Sequence, residues 1–239
     1  MKNNLLKSTK YVVIALFISI SCTSFGMEPV GDWFAQQEEL ARYEERIERI
    51  LKNEPSQRDA ELSAMLFAAV ATEDVGAVKI LLRFGVDVDA RDNHGFTALA
   101  LAALIGSTSI VELLLKHHAN IEAIDNFERT PLSEAVYGGN SEKVVDLLLE
   151  RGANVNARDR DGATALMLTN NPAIVRALIK AGADVTATDL DGQNAMERAM
   201  EYRLEAVSRE GINKFDATIH LLQEAMQRKQ RGKSTSVEK

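Results

Sequence analysis

One cysteine, Cys22, four histidines and four prolines are all that the 239 residues hold of these types, and aromatic residues make up only 5%. A lone thiol builds neither a disulfide framework nor a thiolate zinc site, and no two histidines stand in the H-x-x-x-H spacing that places a metal pair on one helix face. The phosphate-loop pattern G-x-x-x-x-G-K-[ST] and the H-E-x-x-H pattern are absent, and no Ser-His-Asp set is justified, so catalysis has no visible seat. Few aromatics and few prolines weigh against a β-sandwich or a proline-rich chain. What is plentiful is hydrophobic residues, 46%, with alanine and leucine in surplus, and 26% charged residues. That composition supports a sizeable core built from helices, an all-α fold.

The chain carries 28 basic against 35 acidic residues, but Lys2, Lys7 and Lys10 lie in a first segment of 26 residues that has no acid. Without these three lysines the balance is 25 to 35, a net charge of −10. A surface of that sign repels phosphate backbones, so nucleic acid is not an expected partner. The three lysines precede an uncharged run that starts at Tyr11, and small residues follow, which is the order of a secretory signal. Residues 1–26 are therefore expected to be a signal peptide of an exported, secreted or periplasmic, protein of bacterial type. Ser24-Phe25-Gly26 suits a cut before Met27; Ser19-Ile20-Ser21-Cys22 is a weaker lipobox-like alternative that would make a membrane-anchored lipoprotein. The apolar stretch is shorter than the ~20 residues of a spanning helix.

The rest of the chain repeats itself. Asp92-Asn-His-Gly95-Phe-Thr97-Ala-Leu99 recurs from Asp125 to Leu132, from Asp159 to Leu166 and from Asp189 to Met196, and the Thr/Asn position advances by 33, 34 and 30 residues. After each copy come an alanine-rich stretch, a break, an aliphatic triplet such as Leu113-Leu-Leu115, and a turn such as Gly152-Ala-Asn-Val155. Each pair of short helices has an apolar face that it cannot bury alone, and stacking against neighbours solves that. Ala68, Ala69, Ala102, Ala103 and Ala135 let paired helices approach closely, and Gly85, Gly152 and Gly182 supply the left-handed residue that ends a helix. His118 stands in that glycine position, so left-handed strain is expected there. The four finger aspartates are expected to hold turns rather than to act as acids.

On these residues the chain resembles the ankyrin-repeat family over about 57–227. The resemblance implies a solenoid of helix-turn-helix units with protruding β-turn fingers, capped at both ends. Thr130-Pro131-Leu132 alone keeps the family's T-P-L core, and the histidine that usually follows is replaced by Ala100, Ser133 and Met167, with loss of the hydrogen bond it makes. The expected domain order is a helical extension at 27–56, a cap at 57–91, repeats at 92–124, 125–158 and 159–188, a C-terminal cap repeat at 189–227, and a disordered basic tail at 228–239. Within this scheme Trp33, Leu40, Tyr43, Ile47, Ile50 and Leu51 read as one helix docked on the open end of the stack, and Ser56 as the N-cap of the first repeat helix. The segment from Ser208 to Asn213 reads as a loop before a helix at 215–228. Pro172 is expected to cut short the first helix of the third repeat and leave a weak point.

The family reads partners with the variable finger positions and the exposed side of each first helix, on a concave face. Carried over residue by residue, these positions are Asn93, His94, Phe96, Leu104 and Ile105, then Asn126, Phe127, Arg129 and Tyr137, then Arg160 and Asp161, and then Leu190, Asp191 and Gln193. Phe96, Leu104, Ile105, Phe127 and Tyr137 are expected to form one apolar patch, the mark of an interface. The expectation is thus a monomeric, non-catalytic module that binds a protein and needs no cofactor, no metal and no small-molecule substrate; the alternatives are a membrane-tethered lipoprotein scaffold and, behind it, an enzyme with an unrecognised site. It touches a membrane only if Cys22 is lipidated or the N-terminal segment is retained.

Overall fold

The computed structural model describes residues 31–139, 141–205 and 209–237. The expected signal peptide and Cys22 lie outside them. Two compact units divide the chain, Met1–Arg58 and Asp59–Lys239. Among the described residues the regular elements are ten α-helices and one 3-10 turn, with isolated β-bridges in place of strands. The helices are α1 (Gly31–Ile50), α2 (Pro55–Ala71), α3 (Val75–Arg83), α4 (Ala98–Ile105), α5 (Thr108–Lys116), α6 (Pro131–Gly138), α7 (Glu142–Glu150), α8 (Pro172–Lys180), α9 (Ala195–Glu205) and α10 (Arg209–Val237), with the 3-10 turn at Ala165–Met167.

The sequence period becomes two columns of fully buried side chains. Leu66, Leu99, Leu132 and Leu166 come from the first helices, and Leu81, Leu114, Leu148 and Leu178 from the second. First helices α4 and α6 pack on each other, as do second helices α3 on α5, α5 on α7 and α7 on α8. Polar side chains set where each helix starts. Thr97 Oγ1 accepts from the Ala100 N–H at 3.2 Å, Thr130 Oγ1 from Ser133 N–H at 3.3 Å, and Asp74 Oδ1 from Ala77 N–H at 2.9 Å. Each satisfies a donor that the first turn leaves open. The hydrogen bond expected to be lost with the family's histidine has two outcomes: Ser133 Oγ lies 3.3 Å from Thr130 Oγ1 and replaces it, whereas Thr164 Oγ1 is buried without a partner.

Second helices end alike. The Ala119 N–H donates to Leu114 O at 3.1 Å and the Ala153 N–H to Leu148 O at 3.0 Å, each across one left-handed residue. His118 is that residue in its repeat, with φ of 65°, where Gly85, Gly152 and Gly182 serve elsewhere. This closes the last turn at a cost that glycine does not carry. Glu128, with φ of 61°, likewise fills a finger position held by glycine in the other copies.

The first helix of the third repeat is reduced to the 3-10 turn, and α8 opens with Pro172 at its first position, capped by Asn171, whose side chain accepts from the Ala173 N–H at 2.9 Å. The last helix fills what is missing. Thr218 of α10 is fully buried and donates to Asn170 O at 3.1 Å, Leu222 is buried with it, and α10 packs on α8 and α9.

Three local expectations differ from the structure. Helix α2 begins at Pro55, so Ser56 lies inside its first turn; proline is favoured at the first helical position because its missing N–H is unpaired there anyway. Ser208 lies outside the described residues, and from Arg209 on helix α10 is continuous where a loop was expected, since a glycine such as Gly211 costs a helix only about 1 kcal/mol and no proline interrupts it. The same helix runs to Val237, past the start of the expected disordered tail, and Lys229 Nζ donates to Asp184 Oδ1 and, at 2.8 Å, to Thr186 Oγ1.

Candidate protein-binding surface

Each finger is a tight turn held by its aspartate. Asp92 Oδ1 accepts from the His94 and Phe96 N–H groups at 2.8 and 2.9 Å, and Asp125 Oδ1 from Phe127 and Arg129 at 2.8 and 2.9 Å. Asp159 and Asp189 do the same for Asp161 and Ala163, and for Asp191 and Gln193, at 2.8–3.0 Å. With their oxygens aimed at backbone donors, these side chains are structural. Burial pushes the Asp189 carboxyl up, but hydrogen bonds from the Gln193 N–H and from Arg198 outweigh it and hold the group below the usual carboxylate range.

Neighbouring fingers are joined by backbone bonds. The Asn126 N–H donates to His94 O at 3.1 Å, the Arg160 N–H to Phe127 O at 2.9 Å and the Leu190 N–H to Asp161 O at 2.9 Å. This ladder sets Asn93, His94, Asn126, Phe127, Arg160, Asp161, Leu190 and Asp191 in one exposed row. Gln193 and Phe96 sit half-buried at the finger bases. Leu104 and Ile105 are also half-buried, unlike the exposed positions expected, because α4 and α6 come so close that a Cβ on Gly138 would lie 2.2 Å from Leu104 O.

Tyr137 projects from α6 with 63% of its surface exposed, and Phe127 from the finger with 51%. Between them lies Arg129, whose guanidinium carbon is 4.9 Å from the centre of the Phe127 ring and 5.5 Å from that of Tyr137. Arg160 approaches Phe127 at 5.8 Å. Guanidinium groups at such distances are attracted to the ring faces. The structure thus brings Phe127, Arg129, Tyr137 and Arg160 together, with Phe96, Leu104 and Ile105 on the preceding repeat.

Beneath Arg129 is a residue that sequence reasoning missed. Glu134, in the middle of α6, is 1% exposed, and its Oε1 lies 2.9 Å from Arg129 Nε. That is close enough for an ion pair, yet neither Glu134 oxygen accepts a well-directed hydrogen bond. The donors of Arg129 point at Asp125 Oδ2 instead, at 3.2 Å from Nε and 3.0 Å from Nη2. Burial drives the Glu134 carboxyl up, Arg129 pulls it down and Asp125 adds to the rise, leaving it at about 7. A signal was present: four residues beyond the Thr/Asn position the copies carry Leu101, Glu134, Leu168 and Arg198, and only the copy with Glu there has Arg at the finger base. In the last copy Arg198 reaches its finger aspartate directly, Nε to Asp189 Oδ2 at 2.6 Å.

Among the described residues no cluster of three or more His, Cys, Asp and Glu side chains is placed to hold a metal ion, and no helix is long and apolar enough to cross a membrane.

Comparison with known proteins agrees with this architecture. The family description "Ankyrin repeats (3 copies)" matches residues 39–125, 65–159, 117–189 and 132–209. The chain is 39% identical over 106 residues to the nuclear factor NF-kappa-B p105 subunit of Gallus gallus, covering 43% of this chain and 11% of that protein. It is 45% identical over 82 residues to the B-cell lymphoma 3 protein homolog of Mus musculus, covering 34% and 18%, and 39% identical over 89 residues to the ankyrin repeat and SAM domain-containing protein 6 of Rattus norvegicus, covering 36% and 10%. The chain thus spans less than a fifth of the length of each of these relatives, all vertebrate proteins, and the likeness carries neither the export nor the bacterial source expected from its N-terminus. The family matches together run from residue 39 to residue 209, most of the chain, and the protein belongs to the ankyrin-repeat family.

Proposed function

We propose that the chain is a non-catalytic module that binds a partner protein through the concave face made by its fingers and first helices. Ankyrin repeats generally mediate protein–protein interaction. The observation that carries the reading for this chain is the pair of exposed rings, Phe127 and Tyr137, gathered around Arg129 on two different elements. Large rings and arginine are the side chains that most often dominate interface energetics, and neither ring is needed to fill the core. In the same proposal residues 1–26 export the chain, a reading supported by the lysine-led apolar run.

The test is affinity capture from an extract of the source organism with three baits. Phe127→Ala combined with Tyr137→Ala should lose the protein that the wild type retains while its unfolding midpoint stays within a few degrees. Leu114→Ala, a fully buried side chain, should lose roughly 2–5 kcal/mol of stability through the cavity it leaves. Equal capture by the double variant and the wild type overturns the assignment of the face, and unfolding of the double variant places the rings in the core.

A further inference from the structure

The cluster under the aromatic pair is unbalanced. Two carboxylates, Asp125 and Glu134, share the one guanidinium of Arg129, and all three are largely withdrawn from water, with side-chain exposures of 0%, 1% and 19%. Asp125 belongs to the finger that carries Phe127, and Glu134 stands three residues before Tyr137 on α6. Arg129 therefore touches both carboxylates and both rings. The geometry points to Glu134 as the positioning residue of this surface: through Arg129 its carboxylate ties the finger bearing Phe127 to the helix bearing Tyr137, and taking up one proton releases the tie. The inference rests on the binding role proposed for these rings.

The surroundings leave little else to answer the charge. Helix α4, packed against α6, has no ionisable side chain, and neither has the 3-10 turn at Ala165–Met167. Helix α7 carries Glu142, Lys143, Asp146 and Glu150, but all four are exposed, while Val144, Val145, Leu147 and Leu148 are its buried residues. On the next finger Asp159 is occupied by two backbone N–H groups, and the Arg160 guanidinium donates to Asn126 O. Arg129 thus carries the whole charge contact, and it does so without a directed bond to Glu134. With Glu134 ionised the guanidinium is drawn toward both elements; with Glu134 neutral the pull comes from Asp125 alone. The last repeat shows the balanced alternative, one guanidinium on one carboxylate, Arg198 with Asp189.

The test uses the free full chain in a His94→Gln background, which removes the imidazole of the adjoining finger. The side-chain carboxyl of Glu134 and the rings of Phe127 and Tyr137 are followed by NMR with carbon-13 labels from pH 5.5 to 8.5. The expected result is a shift of the Glu134 carboxyl with one midpoint near 7, ring shifts of Phe127 and Tyr137 at that same midpoint, and flat rings in Glu134→Gln. Ring shifts that persist in Glu134→Gln, or a Glu134 transition that leaves the rings unmoved, overturn the inference. So does a Glu134 carboxyl that shows no transition in this range. If Glu134→Gln does not fold, coincidence of the carboxyl and ring midpoints in the His94→Gln chain alone decides. Co-titrating rings together with partner capture that ignores Phe127→Ala and Tyr137→Ala leave the positioning intact and remove the binding role instead.

Discussion

Gly138→Ala tests how closely the first helices α4 and α6 approach. Gly138 ends α6 directly after Tyr137, and a Cβ built there meets Leu104 O at 2.2 Å, Leu104 C at 3.1 Å and Leu104 Cδ1 at 3.3 Å. The first of these is backbone at the end of α4, so no rotamer change removes the overlap; one helix must move away from the other. Replacing glycine by alanine within a helix ordinarily gains about 1 kcal/mol from propensity. Overpacking of a close contact costs about 1–3 kcal/mol, and an overlap of this depth with a carbonyl oxygen belongs at the upper end. The net expectation is a loss of about 1–2 kcal/mol, read from urea unfolding followed by far-ultraviolet circular dichroism, with the slope against denaturant unchanged. The neighbouring Gly139→Ala is the control: nothing lies within 4 Å of its Cβ, and with φ of 60° it should lose only the roughly 1 kcal/mol of left-handed strain. A Gly138→Ala chain as stable as the wild type, or more so, refutes the close approach and with it the half-buried placement of Leu104.

Three further outcomes are expected. His118→Gly should raise the unfolding free energy by up to ~1 kcal/mol, since φ of 65° suits glycine; no change or a loss in denaturant titration would mean that His118 makes a compensating contact. Because the Glu134 carboxyl is raised from 4.5 to about 7, the folded chain holds a proton between these values that the unfolded chain has released. Its contribution is therefore full below 4.5 and fades as pH rises to about 7, an effect on the order of 3 kcal/mol that should appear as the difference between wild-type and Glu134→Gln stability profiles; parallel profiles refute it. Mass spectrometry of the mature chain should find Met27 at the N-terminus; a diacyl-modified Cys22 would make it a tethered lipoprotein, and retention of Met1 would contradict both the released and the lipidated form.

The repeat register was legible because stacking imposes the same two buried positions, one on each helix, on every repeat. Leu66, Leu99, Leu132 and Leu166 had to align once the period was read, and so did the left-handed residue at His118. The break at Pro172 was legible for a local reason, a proline that disfavours helical geometry at the residue before it. What fills the gap was not, because Thr218 reaches Asn170 across 48 residues of sequence and belongs to no repeat position. The continuity of α10 through Gly211 was not legible because glycine reads as a turn former although it costs a helix only about 1 kcal/mol. At the surface, finger tips follow from the register, but the degree of exposure of Leu104 and Ile105 depends on a helix spacing that no single sequence position expresses. Glu134 was passed over because an acidic residue in a short helix usually faces water; its pairing with Arg129 is visible only when the four copies are compared column by column.

The central claim, that the partner lies on the finger and first-helix face, is tested most directly by photocrosslinking. A benzophenone side chain is placed at Tyr137 on that face in one chain and at Lys143, exposed on the second helix of the same repeat, in another, and each is irradiated with the partner retained by the wild type. Crosslinking from position 137 with none from position 143 is the predicted result, and crosslinking from position 143 with none from position 137 would contradict it.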